Sequence, residues 1–374
     1  MNAQYKNSKD HYKVTVTVEP EKSRSLIDAA VKLGAERVFL AKGRGVLHKQ
    51  KLGVIPLPGI SPSFDILTLI VTKEHLELLM NTLVHVGRLH YFGAGAIYAT
   101  KIHDTWYNGP APFSASGTAA APAQYEFQKD LIAVNCICQL DHAEEIAHSA
   151  MLAGSPSPTI TFGYGHGIRD RLGFFLQLTI NPKKEFIGLV VGSAEAERIF
   201  EDMVDSGHLD QPAMGFIYTN PVEMGLINTV SFQATSQYPA TMEQIIKAID
   251  QMQGNTNWRS SGSVQTSSVK KRKKLLNLVS LNCVVPRGFG DECSMAAMEA
   301  GASGTSTTYA NAFPIEKRES RHLEGSDERE LISLTIGESQ VAPIVDAISS
   351  MKELADSPVV MYTFPAPVAL TYLK

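Results

Sequence analysis

The chain has 374 residues, 44 % of them apolar and 19 % charged, with a formal net charge of −4. This composition is that of an ordinary globular protein of two or three domains, and the charge balance supplies no global attraction to nucleic acid. No run approaches the roughly 20 apolar residues of a membrane span, the polar start at 1–13 lacks the apolar centre of a secretory signal, and Cys136, Cys138, Cys283 and Cys293 are too few for a disulfide framework; the expectation is a cytoplasmic protein.

Taken in chain order, residues 13–18 alternate with period two and carry β-branched side chains, which predicts a strand. Leu26, Ile27, Ala30 and Val31 recur at helical spacing, which predicts a helix over 21–33 stopped by Gly34. A strand over 37–41, a long loop over 43–64, a strand over 67–71, a helix over 73–86, a turn at Gly87 and a strand over 96–101 complete the first stretch. Residues 108–124 are rich in Pro, Ala and Ser and read as an extended linker or a surface strap.

The pattern then returns. Gly34, Gly43, Gly45, Gly53, Gly87, Gly95 and Tyr98 are each followed 120 residues later by Gly154, Gly163, Gly165, Gly173, Gly207, Gly215 and Tyr218, which marks a second copy over 131–219. Between 239 and 252, Met242, Ile245, Ile246 and Ile249 predict an extra helix, and 254–268 is a polar linker ending in the basic run Lys270 to Lys274. A fainter third copy spans 275–364, with its second helix near 341–351 and with Ala310 and Ala312 in place of the paired glycines. Each copy reads as βαββαβ, a four-stranded antiparallel sheet with both helices on one face. The predicted units are 1–107, 129–230 and 275–374, separated by a Pro/Ala-rich linker at 108–128 and by the extra helix and Ser-rich basic linker at 231–274.

The order of these elements, with Ala41-Lys42-Gly43-Arg44-Gly45 before the long loop and Gly87-Arg88-Leu89 through Gly95-Ala96-Ile97-Tyr98 near the end, resembles the P-II signalling proteins. The resemblance implies an α+β fold of three tandem ferredoxin-like repeats joined as a single-chain pseudo-trimer. It also implies an adenine nucleotide (ATP, ADP or AMP) or another anionic effector in clefts between repeats, no covalently bound cofactor, and long loops that dock on a protein partner, a membrane transporter or a metabolic enzyme.

The residues point the same way. Glycines at alternate positions let backbone N–H groups approach a phosphate. No acidic residue stands between Arg37 and Phe64, whereas Arg37, Lys42, Arg44, Lys49 and Lys51 are basic; the second copy offers Gly163, Gly165, His166, Arg169 and Arg171. Gly87-Arg88 and Gly207-His208 form the other half of such a site, although Gly95-Ala96 and Gly215-Phe216 stand where the family carries a further lysine. The competing reading makes these residues solvated charges on a surface loop with glycines as turns. Predicted binding residues are therefore Gly43, Arg44, Gly45, Lys49, Lys51, Gly87, Arg88, Gly163, Gly165, His166, Arg169, Arg171, Gly207 and His208.

No catalytic triad, Walker motif or metal-ligand spacing recurs in the copies, so neither enzyme activity nor a metal is expected. The basic run at 270–274 lacks interleaved aromatic residues and reads first as a solvated linker end, with contact to nucleic acid or anionic lipid as the weaker alternative. Two functions remain: a regulatory protein that senses an effector and controls a partner, peripheral to the membrane where that partner is a transporter, or a scaffold that keeps only the P-II-like shell.

Overall fold

The computed structural model describes residues 5–46, 51–52, 55–56, 61–109, 111–114, 122–167, 182–228, 248–250, 252, 272–313, 327–355 and 357–372. The first stretch contains β1 (Lys6–Ser8), β2 (His11–Val18), α1 (Pro20–Lys32), β3 (Val38–Arg44), β4 (Lys51–Leu52), β5 (Ile55–Pro56), β6 (Ser63–Thr72), α2 (Lys73–Gly87), β7 (Gly95–Lys101) and β8 (Thr105–Tyr107). The second contains β9 (Leu131–Gln139), α3 (Ala143–Leu152), β10 (Thr159–His166), β11 (Lys183–Gly192), α4 (Ser193–Gly207), β12 (Gly215–Val222) and β13 (Met224–Asn228). The last contains β14 (Leu275–Pro286), α5 (Gly290–Glu299), β15 (Thr305–Phe313), β16 (Glu328–Gly337), α6 (Glu338–Ser349), a 3₁₀ turn (Lys352–Leu354) and β17 (Val360–Thr371).

Local chemistry accounts for the elements. Pro20, with its fixed φ and no N–H, opens α1, while Glu21 in the first turn and Lys32 in the last turn complement the helix dipole. Along β2 the side chains alternate: Tyr12, Val14, Val16 and Val18 enter a core shared with Leu26 and Ile27 of α1 and Leu79, Met80 and Leu83 of α2. Lys13, Thr15 and Thr17 face the other way. A second core gathers α3 and α4 over β9 and β11, and a third gathers α5 and α6 over β14 and β16.

The strand pairings correct the expected fold class. The three stretches do not keep separate four-stranded sheets assembled as a pseudo-trimer of ferredoxin-like repeats; they share main-chain hydrogen bonds in one 15-stranded antiparallel sheet, and the architecture is mainly β. Nine strands close on themselves in the order β17, β14, β16, β15, β3, β10, β11, β9, β12 and back to β17. From β3 the sheet continues through β6, β2, β7 and β13, and from β17 through β8 and β1. The physical reason is edge satisfaction. Strands such as β3 and β15 would leave unpaired N–H and C=O groups if each unit stood alone, and they find their partners in distant stretches, as in Phe313 opposite Val38 and Gly163 opposite Thr308.

Smaller expectations also shift. The predicted loop over 43–64 loses its ends to β3 and β6, and within it β4 pairs with β5. In the predicted strap, Phe113 is buried in the first core and bridges Ala35, while the Asn108 side chain binds main-chain groups of Leu354, Ser357 and Val359. Most of the predicted extra helix, the polar linker, Lys270 and Lys271 lie outside the described residues. Arg272, only 7 % exposed at its side chain, is paired with Glu201, Asp205 and Asp210 of α4 and the turn after it, and Lys274 with Glu197 and Glu201. Two charges of the basic run are thereby neutralised within the fold. Among the described residues, no helix is long and apolar enough to cross a membrane.

Candidate functional site

The end of β3 carries Lys42-Gly43-Arg44-Gly45, held in register with β6 so that Lys42 lies opposite Asp65 and Arg44 opposite Ser63. Gly43 and Gly45 have no left-handed φ. A Cβ on Gly43 would stand 3.1 Å from the Ile160 carbonyl oxygen of β10, so the missing side chain allows two strands from different stretches to approach. Lys42 Nζ donates to Asp65 Oδ1 at 2.7 Å, and Ser23 Oγ donates to the other Asp65 oxygen at 2.6 Å.

Arg44 crosses to the second stretch. Its Nη1 donates to Glu144 Oε1 at 2.8 Å and its Nη2 to Glu185 Oε1 at 3.2 Å, with the guanidinium 5.8 Å from the centre of the Phe162 ring. Glu185 is 2 % exposed, and its second oxygen accepts the backbone N–H of Ala143, the first residue of α3, at 3.0 Å. The helix N-terminus and the guanidinium together stabilise this buried charge. Glu144 is different: its side chain is 49 % exposed, so its bond to Arg44 is screened by water and open to exchange.

A related junction forms one stretch later. Gly163 lies inside β10 where a Cβ would stand 2.2 Å from the Thr307 carbonyl oxygen of β15. His166 Nε2 is 3.1 Å from Asp291 Oδ1 in the first turn of α5. Glu330, buried, accepts the N–H groups of Gly288 and Gly290 and pairs with Arg287, whose guanidinium lies 4.0 Å over the Tyr309 ring. Burial pushes the Tyr309 hydroxyl above its ordinary pKa, with Arg287 acting in the opposite direction.

The turn residues serve the helices. Gly87 and Gly207 end α2 and α4, and a Cβ there would stand 3.1 Å from Leu26 and 2.7 Å from Ile146 respectively. Arg88 and His208 follow as exposed left-handed caps, with φ of 53° and 49°. Among the described residues neither shares a hydrogen bond or ion pair with the Arg44 or His166 clusters. Gly165 sits in β10 beside the Lys184 side chain, and Lys51 lies in β4. Lys49, Arg169 and Arg171 lie outside the described residues.

What the sequence reading missed is acidic. Asp65, Glu144, Glu185 and Glu330 supply the counter-charges, and Glu185 follows Asp65 by the same 120 residues that separate the glycines. That shared offset was the available signal.

No protein-family model and no curated protein matches the chain. Among solved structures it is similar to PII of Arabidopsis thaliana bound to citrate, with 21 % identity and a TM-score of 0.21 over 26 % of this chain and 78 % of that one. It is also similar to the aspartate kinase from Synechocystis, with 13 % identity and a TM-score of 0.19 over 96 % of this chain and 44 % of that one. Both TM-scores are well under 0.5, so what those proteins bind is not carried over.

Proposed function

We propose that the protein is a regulatory binding protein, without catalysis of its own, that takes a small anionic effector at the junction of β3, α3 and β11. The observation that carries this reading is Arg44. It stands at the root of the segment between β3 and β6 and is shared between a buried carboxylate and an exposed one. An adenine nucleotide is the first effector to test, given the basic residues that flank Arg44 in sequence. Its phosphate takes the place of Glu144 on the guanidinium while Glu185 stays in position. The segment between β3 and β6 is the surface offered to a protein partner in the cytoplasm, a transporter or a metabolic enzyme, and the effector alters that contact only as far as its affinity differs between the free and the partner-bound protein.

The scaffold reading has its own support, because the two carboxylates already satisfy Arg44. Calorimetry with ATP, ADP and AMP separates the two. Heat of binding to the wild-type protein that is lost in Arg44→Gln supports the effector site, and silence across all three nucleotides selects the scaffold.

A further inference from the structure

The face of β2 that carries Lys13, Thr15 and Thr17 is turned inward, with both threonines buried and Lys13 partly buried. It lines a cavity of about 210 Å³ bounded by β6 and β7 on one side and by β9, β10, β11 and β12 on the other. Lys13 is the one charged side chain among the described residues that line it. Its Nζ lies 4.7 Å over the Phe364 ring, a contact that offsets only part of the cost of holding a cation away from water. The cavity is also lined by hydroxyl and amide groups, Thr15, Thr17, Tyr98, Asn135, Thr161 and Tyr218, and by the apolar side chains of Ile66, Ile187 and Leu189.

An uncompensated buried ammonium has two remedies: it loses its proton, or it takes an anion. Burial pushes Lys13 down to about 8, so at neutral pH it still carries the proton and the second remedy stays open. The other titratable groups that line the cavity are Tyr98 of β7, Tyr218 of β12 and Cys136 of β9, and Tyr362 of β17 lies beside Phe364; Asp65 of β6, Lys101 of β7, His166 of β10 and Lys183, Lys184 and Glu185 of β11 are on the same elements but not among the lining residues, which include no carboxylate or imidazole. Burial raises the three tyrosines and Cys136, Tyr218 to about 12, and a hydrogen bond to Cys138 leads the rise for Cys136. Near neutrality they are therefore uncharged, and the tyrosines act as hydrogen-bond donors.

Charge, size and polarity select the ligand. One cation matches one negative charge. The volume is below the roughly 300–1,000 Å³ of pockets for drug-sized ligands and above the roughly 150 Å³ that holds benzene, which corresponds to about eight non-hydrogen atoms, far fewer than a nucleotide carries. We propose that this cavity binds a small monocarboxylate, with its carboxylate on Lys13 and the neighbouring hydroxyls and its short tail against Ile66, Ile187 and Leu189. The site is separate from the Arg44 junction and stands whether or not that junction binds a nucleotide.

The test is calorimetry of the full chain at pH 7 with the straight-chain series from formate to hexanoate, and with inorganic phosphate as the comparison anion. Binding is expected for the middle of the series, weakened about tenfold or more in Lys13→Met, which preserves the length of the side chain and loses the charge. Because that variant also changes packing, a second readout uses the wild-type protein alone. At pH 9 carboxylate binding draws about one proton from the buffer, seen as heats that differ between buffers of unlike ionisation enthalpy, and at pH 7 it draws almost none. Phosphate binding without carboxylate binding, wild-type affinity in Lys13→Met, or no proton uptake at pH 9 each overturns the proposal.

Discussion

Arg44 and Glu185 are 141 residues apart in the chain and 3.2 Å apart in the structure. The pair ties the end of β3 to β11, and through the second Glu185 oxygen to the start of α3. Removing the guanidinium leaves a nearly fully buried carboxylate with one main-chain donor. Arg44→Gln is therefore expected to lower stability by about 2–3 kcal/mol, read from the shift of the urea midpoint. A midpoint equal to that of the wild type would mean that the pair holds nothing.

Glu144 gives the opposite expectation. Its carboxylate is half exposed, so Glu144→Gln should change stability by less than about 1 kcal/mol. If an anionic effector competes with this carboxylate for Arg44, the same substitution tightens nucleotide binding. Titration of the variant beside the wild type decides it, and weaker binding in the variant contradicts the exchange.

Two glycines separate close strand approach from mere absence of a side chain. At Gly163 an added Cβ meets the Thr307 carbonyl oxygen at 2.2 Å, whereas at Gly188 nothing lies within 4 Å. Gly163→Ala should push β10 and β15 apart and cost about 1–3 kcal/mol. Gly188→Ala should be neutral or stabilising by about 0.5 kcal/mol, because it restricts the unfolded chain. Equal midpoints for the two variants would remove the packing explanation for Gly163.

These contrasts show what was legible in the sequence. Helical spacing over 73–86 is observed as Lys73–Gly87, and the alternation at 13–18 as the larger part of β2, because such periodicities record which side chains a single element buries. The pairing of β10 with β15, or of β3 with β15, has no local signature, since strand edges carry the same backbone groups whatever their partners. The paired glycines recorded a missing Cβ, which suits a phosphate nest and a strand crossing equally; the neighbouring backbone shows the crossing at Gly43 and Gly163. Lys13 misleads for a related reason. Its place out of phase with the valines of the alternating strand carries no sign that this face of β2 lines a cavity.

That inward turn also predicts a pH dependence of stability. Burial lowers Lys13 from 10.5 to about 8, so between about pH 8 and 10 the folded lysine has released its proton while the unfolded chain still binds one. The unfolded state then holds more protons, and this group's contribution to stability rises with pH, by up to about 2 kcal/mol across two pH units. Below pH 8 both states are charged and the full penalty of the buried cation remains. Buried Cys136, Cys283 and Cys293, all raised, act against this rise because the unfolded thiols ionise first. The raised tyrosines do the same from about pH 10 upward. The readout is therefore the difference in urea-derived stability between wild type and Lys13→Met, in which the thiol and tyrosine contributions cancel. That difference should move in favour of the wild type from pH 8 to pH 10, and a saturating short-chain carboxylate that restores the lysine's ordinary pKa should flatten it. A flat difference without ligand would show that Lys13 keeps its proton in the fold by means other than a bound anion, and would remove the reason for placing one beside it.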